Sequence, residues 1–182
     1  MKKAILASLG VLLLIALTAC GSGKSGDKDT ISLSKDEKTA AANLQKVFTE
    51  SSSDGLTTTE AKCVATHFVD SVGLTKLKST KLLTDTYEVN TTASPTFDAD
   101  TAGKFADSLL GCVNYQKQLA EQTAKTDTTI DETKFEDCLE EKLPDSLVKK
   151  MLVAAQTNSS DATDIGTQGQ KALTDCKTTA KK

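Results

Sequence analysis

Apolar and polar positions fall into three successive patterns along the chain. After Lys2 and Lys3, the residues from Ala4 to Leu17 form an almost unbroken apolar run. It is too short to span a bilayer stably and has the layout of a secretory signal, a basic start and an apolar stretch ahead of small residues. From Gly21 to about Leu33 the chain turns polar and rich in Gly, Ser and Asp, which predicts a flexible tether of about 40 Å at full extension. Helical period then sets in. Ser34 and Glu37 have the spacing of a capping box, and Ala40, Ala41, Leu44, Val47 and Phe48 make one apolar face. That helix should end near Ser51, where Ser51-Ser52-Ser53-Asp54-Gly55 makes a stop. Thr57 with Glu60 then repeats the capping signal for a second helix.

The same reasoning locates the later helices. Ala102, Phe105, Ala106, Leu109, Cys112 and Val113 share a stripe behind a cap at Asp98 or Asp100. Phe135, Cys138, Leu139 and Leu143 form another stripe, and Leu147, Val148, Met151, Leu152 and Ala155 a third. Pro144 forbids a continuous helix through Leu143, with Asp145 placed to cap the next one, and Gly73 marks a comparable break earlier. Between Thr80 and Thr101 the pattern weakens, and residues Leu83 to Val89 read equally as a short strand or an irregular loop. The expectation is an all-α domain of about six helices.

Cys20 directly follows the apolar run. Leu17-Thr18-Ala19-Cys20 resembles the lipobox of bacterial lipoproteins, in which the cysteine after the cut receives a diacylglyceryl group and becomes the first mature residue. The resemblance implies a signal peptide over residues 1–19 and a lipidated Cys20 opening a tether over residues 20–33. One helical domain then follows over residues 34–182, held at the extracytoplasmic face of the cell membrane. Palmitate-type chains supply about 0.8 kcal/mol per buried methylene, so two chains anchor where one binds only reversibly.

A motif occurs twice. The segment from Cys63 to Val72 can be laid over that from Cys138 to Leu147, with an apolar residue just after each cysteine and again at Phe68 and Leu143, then Asp70-Ser71 matching Asp145-Ser146. Leu77 and Leu152 stay in step, and each copy is followed by a helical stretch ending in Cys112 or Cys176. This defines a duplicated unit, with copies over about residues 57–119 and 130–177 and a polar connector from Gln122 to Thr129. With Cys20 taken by lipid, Cys63, Cys112, Cys138 and Cys176 are an even set, as expected for two disulfides in an oxidising compartment. Four cysteines allow three pairings, and the repeat favours Cys63 with Cys112 and Cys138 with Cys176. The Cys-Val-Ala helix, Val-Asp-Ser-Val-Gly-Leu, the Asp-x-Leu-x-x-Cys helix and the second Cys-Leu helix resemble a group of small secreted proteins and lipoproteins of actinobacteria. That resemblance implies an all-helical domain and no catalytic residue, and the chain departs from the group in being rich in lysine and threonine.

Composition narrows the function classes. Without Lys2 and Lys3, 20 of the 22 basic residues stand against 25 acidic ones, a charge near −5. Every basic side chain is lysine, tryptophan is absent and aromatics make up 4%, so no nucleic-acid surface of bidentate Arg contacts and stacked bases is expected. The core should be Leu, Val and Ala rather than rings. A zinc site is disfavoured because no C-x-x-C spacing occurs and His67 is the only histidine. Chemistry, if any, would use His67 with Asp70 and Ser71 one helical turn away. Asp70, Asp107 and Asp145, each followed by Ser, could pair or bind a cation but suit helix ends equally. The acidic stretch from Asp131 to Glu141 reads as a solvated face, and Lys177, Lys181 and Lys182 as a frayed basic tail near anionic lipid. The expected role is a binding module with no turnover, no cofactor and no metal. It would meet the membrane through its lipid and a partner that is an envelope protein or a wall component. A carrier of an apolar ligand and a small envelope hydrolase using His67 are the alternatives.

Overall fold

Helices begin where a short polar side chain can accept the free N–H groups of the first turn. Ser34 and Glu37 exchange hydrogen bonds as a capping box, Thr57 and Glu60 do the same, and Asp98, Asn114 and Asp131 each accept a backbone N–H three residues on. The structure, a computed structural model, describes residues 31–50, 56–95, 97–157 and 159–182. Its helices are α1 (Lys35–Glu50), α2 (Thr58–Val72), α3 (Leu74–Ser79), α4 (Ala99–Cys112), α5 (Tyr115–Thr126), α6 (Glu132–Lys142), α7 (Asp145–Thr157) and α8 (Ala162–Thr179). The described β-structure amounts to two isolated bridges, so the fold is all-α. The apolar leader, Cys20 and most of the tether lie outside the described residues.

Two cores share one wall. The first gathers Ala40, Leu44 and Phe48 of α1 with Val64, Phe68 and Val69 of α2, Leu77 of α3, and Leu82 and Leu83. The second gathers Leu119 and Ala120 of α5, Phe135 and Leu139 of α6, Val148 and Leu152 of α7, and Ala172 and Cys176 of α8. Helix α4 faces both, with Leu109 packed against each. Disulfides join Cys63 of α2 to Cys112 of α4, and Cys138 of α6 to Cys176 of α8, so each core has its own staple. The pairing that the repeat favoured is the observed one.

The two cores are assembled on a similar plan. In each half a leading helix packs on a cysteine helix, α1 on α2 and α5 on α6, and the cysteine helix is bridged to the last helix of its half. The halves diverge in the third helix. Helix α7 is long and packs on both α4 and α8, while α3 has 6 residues and hands over to the segment before α4. Gly73, at φ 79°, separates α2 from α3 in a conformation that L side chains rarely adopt. Pro144 separates α6 from α7, and its carbonyl accepts from the N–H groups of Leu147 and Val148.

Several expectations change. Eight helices occur among the described residues because α3 is short and α5 is mostly polar, so neither carries a strong apolar stripe. The supposed connector from Gln122 is helical as far as Thr126, with the polar Gln116, Gln118 and Thr123 buried on α5. Leu33, expected at the end of a tether, is buried, and Ile31 packs on the first core. Residues 80–95 form a loop with one antiparallel bridge between Leu83 and Val89 rather than a strand. Tyr87 pins that loop by donating to Asp36, while its carbonyl accepts from Asn43 of α1 and Lys78 stands over its ring.

Rings matter more than their number suggested. Phe68 is fully buried with Phe105 at 5.1 Å and Phe97 at 6.1 Å, both edge-on, and Phe135 is fully buried in the second core. Ala154 of α7 is buried where Ala155 was expected, and Ala155 is exposed. The basic tail is tied down rather than frayed. Lys181 bridges to Ile130, the Lys182 N–H donates to Thr129, and its ammonium donates to the Thr128 carbonyl. Asp127 at this junction has its carboxyl held below the usual range by hydrogen bonds from Thr129, with Lys177 and Lys181 adding to the effect.

Candidate functional site

Helix α2 sets out its polar chemistry at helical spacing. Cys63 and His67 are four residues apart and share a face, whereas Val64, Ala65, Phe68 and Val69 turn into the core. The capping box at Thr57 fixes where this helix starts, and packing of α2 on α4 brings the end of α4, Cys112, against Cys63. One ligand-type atom each from Cys63, His67 and Cys112 then lies within 4.8 Å of the others. Cys112 is buried, Cys63 half-buried and His67 exposed. The cluster opens on a groove of about 270 Å³ lined by Ile31, Thr59, Lys62, Cys63, Thr66 and His67.

Spacing argued against a metal set, and the fold supplies what spacing could not show. Cys112 is 49 residues from Cys63 in sequence, so no short motif announces the trio. The one legible signal was the pair Cys63 and His67 on a single helical face. With the disulfide formed, the sulfurs are not thiolates and do not act as metal ligands.

The second bridge has different surroundings. Lys142 occupies the place corresponding to His67, and the Thr179 hydroxyl donates to the Cys138 sulfur at 3.6 Å. Among the described residues, only the first bridge belongs to a cluster of His, Cys, Asp or Glu able to hold a metal.

The remaining candidates are dispersed. Ser71 donates to the Phe68 carbonyl at 3.2 Å rather than to His67, and Asp70 is exposed beside it. Asp107 pairs with Lys149 of α7, while Asp145 is the first residue of α7 rather than its cap and accepts from Gln116 at 3.0 Å. Asp107 and Asp145 therefore serve separate helix contacts, and Asp70 joins neither. In the acidic stretch, Asp131 caps α6, and burial, reinforced by the neighbouring Glu140, Asp137 and Glu121, raises the Glu136 carboxyl above the ordinary range against the pull of Lys117. No described helix is long and apolar enough to cross a membrane. Cys20 lies outside the described residues. No family model, curated protein or solved structure matches the chain.

Proposed function

We propose that the protein is a lipid-anchored, extracytoplasmic lipoprotein whose helical body acts as a binding module of the bacterial cell envelope. Leu17-Thr18-Ala19-Cys20, placed directly after the apolar run, carries this reading. Cysteine usage supports it from independent residues. The four later cysteines pair with one another, which leaves Cys20 as the one thiol without a disulfide partner. Two structural disulfides also suit an oxidising compartment. Asp70 stands exposed while Asp107 and Asp145 are engaged in separate helix contacts, and that dispersal favours binding over turnover.

Fractionation of the native host tests the anchor. The parent protein should sediment with membranes and carry a diacylglyceryl mass on Cys20, and Cys20→Ser should shift it to the soluble fraction. An unmodified Cys20, or a serine variant that stays on the membrane, overturns the anchor. Cross-linking of the lipidated protein in place tests the binding role. A discrete adduct with one envelope protein or wall fragment is expected, and an apolar small molecule retained in native mass spectrometry would replace that role with carriage.

A further inference from the structure

We propose that Cys63 and Cys112, once their disulfide is reduced, form with His67 a three-ligand site for a thiophilic metal ion of the zinc type. The inference goes beyond the anchoring role and does not depend on it; in an oxidising compartment the bridge stays closed, and the site opens only where a dithiol reductant reaches it. Its basis is the position of the His67 imidazole, with a ring nitrogen within 4.8 Å of both sulfurs of a bridge bonded at 2.04 Å, when the ligand atoms of one tetrahedral zinc lie roughly 3.5–4 Å apart. On reduction the sulfurs move apart and the imidazole moves in, and both changes take side-chain rotation rather than movement of helices. The Cα atoms of the two cysteines are 5.8 Å apart, and packing of α2 on α4 around Phe68 and Phe105 keeps them near one another without the covalent bond.

The donor set suits the ion. Thiolate and imidazole are the ligands that zinc and other thiophilic ions take, and three protein ligands leave a fourth position for water or an incoming group. Cys63 and His67 themselves line the groove together with Ile31, Thr59 and Thr66, so an incoming group would have a route to them. The Cys138–Cys176 bridge lacks an equivalent, because lysine stands where the first bridge has His67.

Reduction by a dithiol transfers two electrons and two protons to the Cys63–Cys112 bond, which breaks into two thiols while the dithiol closes to its own disulfide. Metal binding then releases both thiol protons, and two thiolates with a neutral imidazole balance the dication. The site is therefore gated: closed when oxidised and open when reduced.

The full chain, oxidised or treated with a dithiol and then freed of it without oxygen, is titrated with zinc chloride and followed by native mass spectrometry and far-UV circular dichroism. The reduced chain should retain one zinc that the oxidised chain does not. His67→Ala should weaken retention at least tenfold, and the double variant Cys63→Ser with Cys112→Ser should abolish it. Where reduction melts helices, zinc should restore them in the parent and fail to do so in His67→Ala. Equal zinc retention by His67→Ala, retention by the double serine variant, equal binding to the oxidised chain, or melted helices that zinc does not restore would each overturn the proposal.

Discussion

Two capping boxes with the same sequence form sit in different surroundings, and that difference sets the size of a mutational effect. The Ser34 and Glu37 box lies at the surface, whereas Glu60 is 7% exposed and holds two roles. One carboxylate oxygen accepts from the Thr57 N–H and hydroxyl at 2.9 and 2.8 Å, and the other accepts from the Gln118 amide of α5 at 2.7 Å. Glu60→Ala removes a cap interaction of about 1 kcal/mol. It also removes a charge-assisted hydrogen bond of about 1.5–3 kcal/mol and strands the buried Gln118 amide, whose oxygen already lacks a partner. A total near 3 kcal/mol follows, which at a urea slope of about 1.5 kcal/mol per molar lowers the unfolding midpoint by roughly 2 M. Glu37→Ala should lower it far less. In a double-mutant cycle, Glu60→Ala and Gln118→Ala should be non-additive by about 1 kcal/mol or more. Equal midpoint losses for Glu37→Ala and Glu60→Ala, or strict additivity in the cycle, would refute the buried link between the halves.

Phe68→Ala should cost about 4 kcal/mol, since it empties a fully buried site between two edge-on rings, and calorimetry showing a loss under 1 kcal/mol would contradict that packing. Replacing Cys138 and Cys176 together by serine opens a loop of sequence separation 38, for which the chain-entropy model gives about 4 kcal/mol; an unchanged denaturant midpoint would rule this out. Asp98 is held well below the usual carboxylate range, first by its hydrogen bond from Lys76 and then by the Thr101 N–H. A depressed carboxyl contributes stability that is present above its unfolded pKa and lost as pH falls through the folded one. Asp98→Asn, which keeps the cap, should therefore flatten the acid limb of the stability profile, and curves that stay parallel to the parent's would exclude the linkage.

The sequence by itself determined what depends on neighbours within one helical turn. Ser34 and Thr57 cap where their spacing placed them, Asp98 is the one of the candidates Asp98 and Asp100 that caps, Gly73 and Pro144 break helices, and the apolar stripes of α1, α4 and α6 turn inward. The matched segments also pointed to the cysteine pairing, because each begins with one cysteine and is followed by a stretch ending in the cysteine it bonds. Helix α5 stayed hidden, since its buried Gln116, Gln118 and Thr123 are polar, and Gln116 and Gln118 are held by partners on other segments, the Leu143 carbonyl and Glu60. The same holds for the tail at Lys181 and Lys182, whose partners lie around Thr129. Most of all, the meeting of His67 with Cys112 was decided by α2 packing on α4. A cap or a stripe is set by side chains three or four positions apart, whereas this meeting depends on which faces of two distant helices bury against each other, and only the closed core fixes that.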